Sequence, residues 1–251
     1  MKILILSDIH ANLTALMEVV RFAYPYGIDK AILLGDHIDY GMRPNEVIRF
    51  LECMDRGTCI GADAGIEIAI NIWGNHERAI FDCDLSQFSS DRGKKFSSYT
   101  ACILSVGAKS YIASRMNADG IQSVTLGGKS VLAVHGSLDD VFWKSLTTES
   151  ACDDYTRYDY VLSGHSHKPH YFERYFDNPE SRLRGKKKTV FINPGSVGQP
   201  RNHKPEACYA VLDITSGSVH LNAVEYDVKA EQALYGDEVD EFYKLRLKDG
   251  I

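Results

Sequence analysis

Short apolar runs alternate with amphipathic stretches in the first third of the chain. Residues 2–7, 31–34 and 66–73 have the length and continuous apolar character of buried strands. Between these strands lie two stretches with helical periodicity, which we list by their apolar positions: Leu13, Leu16, Val20 and Ala23, then Val47, Ile48 and Leu51. Asn12 suits the N-cap of the first helix, and Pro44 suits the first turn of the second. The β-α-β-α-β order predicts parallel pairing of the three strands.

The second half of the chain is rich in predicted strands. Apolar runs cover residues 122–126, 129–134, 160–163, 189–192, 207–214 and 219–226. Gly127-Gly128 and Ser216-Gly217 suit hairpin turns, so we expect mostly antiparallel pairing here. Helices are predicted over residues 94–105 and 238–247, the latter with Val239, Phe242 and Leu245 facing inward. The simplest architecture is an α/β fold in which residues 1–251 form one domain, with two mixed sheets face to face and helices outside.

Composition and charge exclude several classes of protein. The net charge of −6 argues against a broad nucleic-acid-binding surface. Apolar stretches stay well short of the length that spans a membrane, and residues 1–8 are too short for a signal peptide. The six cysteines are scattered without a CxxC pair, so we expect reduced, buried thiols and a cytoplasmic protein.

Polar side chains that can bind metals follow the predicted strands. They are Asp8, His10, Asp36, Asn75, His76, His135, His165 and His167. Loops after the strands of an α/β sheet converge at one edge, and in extended backbone residues two apart point the same way. Imidazole and carboxylate ligands favour transition metals, and the absence of cysteine from the set argues against a structural zinc site.

A count of charges favours phosphate chemistry at such a site. Two divalent ions would bring about +4, and Asp8, Asp36 and a bridging hydroxide would leave about +1, which suits a phosphate. Asp36 has oxygens for both ions and is the natural bridge. His76 lies next to a ligand and could protonate the leaving group.

Five motifs in order resemble those of calcineurin-like metallophosphoesterases. They are DIH (8–10), GDHIDYG (35–41), GNHE (74–77), VHG (134–136) and GHSH (164–167). The resemblance implies a four-layer α/β/β/α sandwich and a centre of two divalent transition-metal ions, of which manganese is the first expectation and iron, zinc or nickel the alternatives. It implies one metal held by Asp8, His10, Asp36 and His167, and another held by Asp36, Asn75, His135 and His165. It also implies that Asp36, Asn75 and His76 act in catalysis, with His76 as general acid.

Two further segments bear on the branch of this superfamily. PNE (44–46) and INPGSVGQPR (192–201) resemble the small prokaryotic phosphodiesterase-like group, whereas Tyr40 stands where protein Ser/Thr phosphatases carry an Arg. We therefore expect hydrolysis of a small phosphate ester, with diesters favoured. A phosphomonoesterase, a protein phosphatase and a non-catalytic scaffold of the same fold stay as alternatives, and His76 speaks against the scaffold. The oligomeric state is open, a homo-oligomer included.

Some residues allow two interpretations. Arg201 and Asn12 could contact substrate, or could brace a loop and cap a helix. His37 could lie behind the ligands or face solvent, and His170 falls outside the motif as a loop or supporting histidine. The basic run 182–188 is expected to be a solvated hairpin, and the tyrosines around residues 155–175 are expected to pack.

Overall fold

Two five-stranded sheets form the centre of the molecule. The computed structural model describes residues 1–56, 58, 65–182 and 184–251. The strands are β1 (Lys2–Leu6), β2 (Lys30–Leu33), β3 (Glu67–Asn71), β4 (Ile121–Leu126), β5 (Lys129–Val134), β6 (Tyr160–Ser163), β7 (His170–Asp177), β8 (Lys186–Asn193), β9 (Glu206–Asp213) and β10 (Ser218–Glu225). The helices are α1 (Leu13–Ala23), α2 (Pro44–Arg56), α3 (Asn75–Phe81), α4 (Asp91–Ile103), α5 (Val106–Arg115), α6 (Val228–Gln232) and α7 (Glu241–Asp249).

The first sheet has the strand order β10-β9-β1-β2-β3. The predicted parallel pairing of β1, β2 and β3 is confirmed. Alternate residues of β1 serve two cores: Leu4 and Leu6 pack under α1 and α2, while Ile3 and Ile5 face the second sheet. Burial on both faces explains why this strand is apolar throughout.

The second sheet has the order β4-β5-β6-β8-β7 and is mixed. The expectation of a mostly antiparallel second half is wrong for β5, β6 and β8, which pair in parallel. The connections between these strands are long enough for crossovers. The prediction of two mixed sheets in an α/β fold is confirmed. A 3₁₀ helix, Asp153–Arg157, and its neighbouring loop cover the outer face of this sheet.

The helices differ from the sequence prediction at several points. α4 begins at Asp91, since Ser90 Oγ caps it by accepting from Gly93 N. The predicted inner face of the last helix is wrong at Leu245, which is 52% exposed. Val239 and Phe242 pack against the core as predicted, and Tyr243 and Leu247 are buried beside them. Tyr243 turns inward because its ring stacks on Tyr40 at 4.7 Å. Within the described residues, no helix combines the length and apolar character that crossing a membrane requires.

The expectation of buried cysteines is largely wrong. Cys83, Cys102 and Cys152 are exposed and Cys208 is buried. Cys59 lies outside the described residues. The described cysteines are all free thiols, as expected.

The basic run belongs to the hairpin that joins β7 to β8. Lys186 pairs with Asp177 and Lys188 with Glu173, which agrees with a solvated hairpin; Leu183 lies outside the described residues. Tyr155 and Tyr160 are buried as expected. The expected packing of Tyr171 and Tyr175 is wrong, because these edge-strand residues are 44% and 56% exposed.

Candidate metal centre

All eight predicted side chains meet at one edge of the two sheets. Each follows a strand: Asp8 and His10 follow β1, Asp36 follows β2, Asn75 and His76 follow β3, His135 follows β5, and His165 and His167 follow β6. The two sheets are joined here by His135, whose Nδ1 donates to the Leu34 carbonyl at 2.7 Å. The convergence predicted from the sequence is therefore present.

Two clusters of ligand atoms share Asp36. Asp8, His10, Asp36 and His167 form the first, with their ligand atoms within 4.8 Å of one another. His167 Nε2 lies 3.2 Å from Asp8 Oδ1 and 3.2 Å from His10 Nε2. Asp36, His135 and His165 form the second. Asn75 Oδ1 adjoins this second cluster, at 3.0 Å from His135 Nε2 and 2.9 Å from His165 Nδ1.

One oxygen of each aspartate is held by the protein and the other is not. Asp8 Oδ2 accepts from Ser7 Oγ and from His165 N, and Asp36 Oδ1 accepts from His76 N. Asp8 Oδ1 and Asp36 Oδ2 are buried and find no hydrogen-bond partner among the described residues. We call these two atoms the open oxygens. They fit cation ligands, because a buried carboxylate oxygen is otherwise costly to leave unpaired.

Two histidines, His135 and His167, are oriented so that one ring nitrogen of each can bind a cation. His167 Nδ1 donates to the Gln199 carbonyl at 2.6 Å, just as His135 Nδ1 donates to Leu34. Both Nε2 atoms are thereby turned towards the open oxygens with a free lone pair, as in metal sites where a carbonyl fixes the ring.

Electrostatics favour the ligand form of these groups. Burial alone would raise the pKa of Asp8, but the facing His167 outweighs burial and lowers that pKa below its ordinary value. Burial and the neighbouring His135 lower the pKa of His165 to about 4. Burial and His167 likewise lower the pKa of His10. Ionised carboxylates therefore stand beside neutral imidazoles at His10 and His165, the combination that binds divalent transition metals. Burial would also lower the pKa of His135, but Asp36 outweighs burial and raises that pKa to about 9, so a bound cation would displace a proton there.

The backbone under the ligands is in the left-handed region. The φ values are 52° at Asp8, 47° at His10, 54° at Asp36, 62° at His165 and 58° at His167. The extended backbone expected for the two i, i+2 pairs is therefore wrong, although both pairs reach the site. Left-handed conformations are costly for non-glycine residues, and they persist at functional sites where surrounding contacts enforce them.

Glu77 holds the loop after β2 in its left-handed conformation. Its buried carboxylate accepts from the backbone N–H groups of Asp36, His37, Ile38 and Gly74, at 2.7 to 3.2 Å. Gly74 is required beside it, because a Cβ there would lie 2.1 Å from Asp36 Oδ1. Glu77 is the last residue of GNHE, and the sequence pattern predicted no role for its side chain.

The segment after β8 holds the loop after β1 in its left-handed conformation. Ser196 Oγ and Gly198 N donate to the Asp8 carbonyl at 2.7 and 3.1 Å. The approach is so close that a Cβ on Gly198 would lie 1.8 Å from the Ile9 carbonyl oxygen. This contact explains the PGSVG part of the motif at residues 194–198.

His76 stands at the rim of the clusters with an acidic partner. Its Nδ1 lies 2.6 Å from Asp39 Oδ2, and its Nε2 lies 4.0 Å from Asp36 Oδ2. Asp39 also accepts from Ser97 Oγ and Thr100 Oγ1 of α4. Burial would lower the pKa of His76, but Asp36 and Asp39 outweigh it and raise that pKa. Asp39 lies within GDHIDYG, and the sequence pattern predicted no role for its side chain.

A cavity of about 220 Å³ opens over the clusters, and we call it the site cavity. Its lining includes Asp36, Tyr40, Asn75, His76, Gln87, Phe88, Ser89, Trp143, His165, His167 and Arg201. Arg201 Nε is buried and has no hydrogen-bond partner within the described chain. This placement supports substrate contact by Arg201 over a bracing role.

The other ambiguous residues do not line the site cavity. Asn12 is fully buried; its Oδ1 caps α1 and its Nδ2 donates to the Gly198 carbonyl, so the structure favours the cap and speaks against substrate contact. His37 is also fully buried and its Nε2 contacts Asn71, so a solvent-facing position is wrong. His170 begins β7 instead of lying in a loop.

Known proteins share this sequence pattern and fold. Residues 1–217 match the family model of the calcineurin-like phosphoesterase superfamily domain. The uncharacterized protein MJ0912 of Methanocaldococcus jannaschii is 27% identical over 236 residues, which cover 90% of this chain and 88% of that protein. The crystal structure of a metallophosphoesterase from Sphaerobacter thermophilus superposes with a TM-score of 0.74 at 26% identity, covering 100% of this chain and 99% of that one. The hypothetical protein PH1004 from Pyrococcus horikoshii, at 20% identity and a TM-score of 0.74 over 100% and 98% of the two chains, shares the fold. The chain therefore belongs to the calcineurin-like phosphoesterase superfamily.

Proposed function

We propose that this protein is a metal-dependent phosphoesterase that favours diesters and binds two divalent transition-metal ions. One ion is held by Asp8, His10, Asp36 and His167, and the other by Asp36, Asn75, His135 and His165. The observation that carries the proposal is the pair of open oxygens, which lie among oriented imidazoles. Manganese is the first candidate, and iron, zinc and nickel suit the same donors.

Activation, phosphate binding and proton donation are carried out by different groups of the site. Bound ions would supply Lewis-acid activation of the phosphate and of the attacking water. Arg201 presents a guanidinium with an unused Nε to a phosphate oxygen in the site cavity, as far as the described residues show. His76, held by Asp39 through Nδ1, presents Nε2 to the departing oxygen and donates the proton.

The lining of the site cavity supports diesters over monoesters. A monoester dianion carries one more negative charge than a diester and gains more from additional cations. Tyr40, whose ring lies 4.3 Å from that of His76, occupies the place where protein Ser/Thr phosphatases carry an Arg. The described lining of the site cavity holds a single Arg or Lys side chain, Arg201, so the singly charged diester is the better match.

The test compares bis(4-nitrophenyl) phosphate with 4-nitrophenyl phosphate in manganese-loaded protein. We expect faster turnover of the diester, and a loss of about 10²- to 10⁴-fold in kcat for His76→Ala. His220→Ala removes an exposed histidine of β10 and serves as the matched control, with wild-type activity expected.

Metal content, measured by mass spectrometry, separates the outcomes. Equal metal in wild type and His76→Ala with lost turnover supports the acid role. A faster monoester reaction overturns the diester preference. Metal-loaded protein that hydrolyses neither ester, nor a phosphopeptide, overturns the enzyme proposal and favours the scaffold.

A further inference from the structure

A second cavity adjoins the site cavity on the side of His76. It measures about 350 Å³ and is lined by Arg78, Ala79, Asp82, Asp84, Gln87, Asp119, Phe142 and Trp143. Gln87 and Trp143 line the site cavity as well. A group bound at the clusters could therefore extend past these two side chains into the second cavity.

Trp143 is fixed at this junction by its own loop. The loop begins at the ligand His135 and folds back, with Gly136 N donating to the Val141 carbonyl at 2.7 Å. Asp140 Oδ1 then accepts from the backbone N–H groups of Phe142 and Trp143, at 3.0 and 2.9 Å. The tryptophan is thus placed by the same loop that supplies a metal-ligand candidate.

An aromatic row leads from the general acid to the second cavity. The Phe88 ring lies 4.9 Å from the His76 ring and 5.4 Å from Trp143, edge to face with the latter. Trp143 is half-buried, so part of its ring stays open to the two cavities. A flat organic group that departs beside His76 would meet this ring.

The charge of the second cavity is negative. Three carboxylates, those of Asp82, Asp84 and Asp119, face one guanidinium, that of Arg78, which is tied to Asp82 at 2.6 Å. A group bearing further phosphates would be repelled there. An uncharged or cationic group would not.

We propose that Trp143 is a specificity-determining residue and that the second cavity receives the leaving alcohol, a flat organic group without further negative charge. The inference rests on the proposed function. In the reaction the water oxygen bonds to phosphorus, the bond from phosphorus to the substituent oxygen breaks, and His76 supplies the proton to that oxygen. A nucleoside or an aryl alcohol fits this description, and a polyphosphate does not.

The test uses two diesters that differ by one carboxylate, 4-nitrophenyl methyl phosphate and 3-carboxy-4-nitrophenyl methyl phosphate. The methyl group is small, so the ring is the group that reaches the second cavity. Manganese-loaded wild type should prefer the uncharged ring by about fivefold in kcat/KM, a modest ratio because the carboxylates are exposed. Asp84→Asn/Asp119→Asn should reduce that preference to about twofold.

Trp143→Ala should raise KM for the uncharged ring about tenfold, the scale expected for loss of ring stacking. Trp143→Phe keeps an aromatic face and should restore most of the loss, which separates recognition from misfolding. Tyr175→Ala, an exposed aromatic on β7, should retain wild-type KM. Thermal unfolding of each variant checks its fold.

Two results would overturn the inference while leaving the proposed function intact. One is an active wild type whose KM is unchanged in folded Trp143→Ala. The other is equal use of the two rings by wild type and by the double variant. If metal-loaded wild type hydrolyses neither ester, the proposed function fails, and the inference fails with it.

Discussion

Two cavities at different places in the molecule show what marks a reactive site. The site cavity measures about 220 Å³, whereas a distal cavity beside β3 and α5 measures about 390 Å³. In the distal cavity polar groups pair with each other: Arg115 Nη2 donates to Asp55 at 3.1 Å, and Asn71 Nδ2 donates to Tyr111 at 3.3 Å. The smaller cavity holds the open oxygen of Asp36 and the left-handed backbone. The candidate reactive cavity is therefore distinguished from the distal cavity by a buried ligand atom without a hydrogen-bond partner, and not by its volume.

The sharpest test of this comparison makes the same change in both cavities. Asp36→Asn removes the charge that both ligand clusters share, so we expect lost metal binding and a fall in diester turnover of more than about 100-fold, beyond what residues that merely orient ligands contribute. Asp55→Asn alters the distal cavity and should keep metal content and turnover near wild type. Metal per chain and kcat/KM measure both. Equal metal content in the two variants would break the comparison.

A second change tests the support of the site loops. Glu77→Gln leaves one acceptor oxygen for four backbone N–H groups and turns an NH₂ towards some of them. We expect the free energy of unfolding to fall by about 3 kcal/mol. Glu67→Gln, which removes an exposed ion pair with Lys30 on the distal side, should cost less than about 1 kcal/mol. Denaturant unfolding of metal-free protein measures both; similar losses would contradict a special role for Glu77.

His170 can be compared with the metal-ligand candidates. Its buried Nε2 also has no hydrogen-bond partner in the described chain, but it lies outside both clusters. Burial lowers the pKa of His170 from 6.5 to about 4. The unfolded chain therefore takes up a proton that the native protein refuses, and wild type should lose about 1–2 kcal/mol of stability as pH falls from about 6.5 to 4.

His170→Phe should lose less stability than wild type across that pH window, while His220→Phe, at an exposed site, should follow wild type. Unfolding midpoints at several pH values would decide. Parallel curves for wild type and His170→Phe would show that this histidine does not contribute to the pH dependence.

The sequence predicted the strands that are buried on both faces, because their apolar runs are continuous. It missed β7, where pairs of aromatic residues and charged residues follow one another along an exposed edge, and in α7 it placed Leu245 inward and overlooked Tyr243. Tyr243 packs inward against Tyr40, a contact over two hundred residues away in the chain. Local periodicity carries no information about such a partner.

The ligand candidates were predictable because their side-chain chemistry and their place after strands coincide. The residues that support them were not. Asp39 acts through Thr100 and His76, and Glu77 acts through backbone groups of another loop. Their roles depend on contacts between distant segments, which neither composition nor spacing reveals.

The left-handed backbone under the ligands has a consequence for protein design. Copying the seven metal-ligand candidate side chains onto another scaffold would not reproduce the centre, because φ values of 47° to 62° must be built in first. A graft would need Glu77, which holds the loop after β2. It would also need Gly198, which lets the segment after β8 lie directly against the loop after β1. The transferable unit is the set of interlocked loops, and a designer who moved those loops would bring the metal ligands with them.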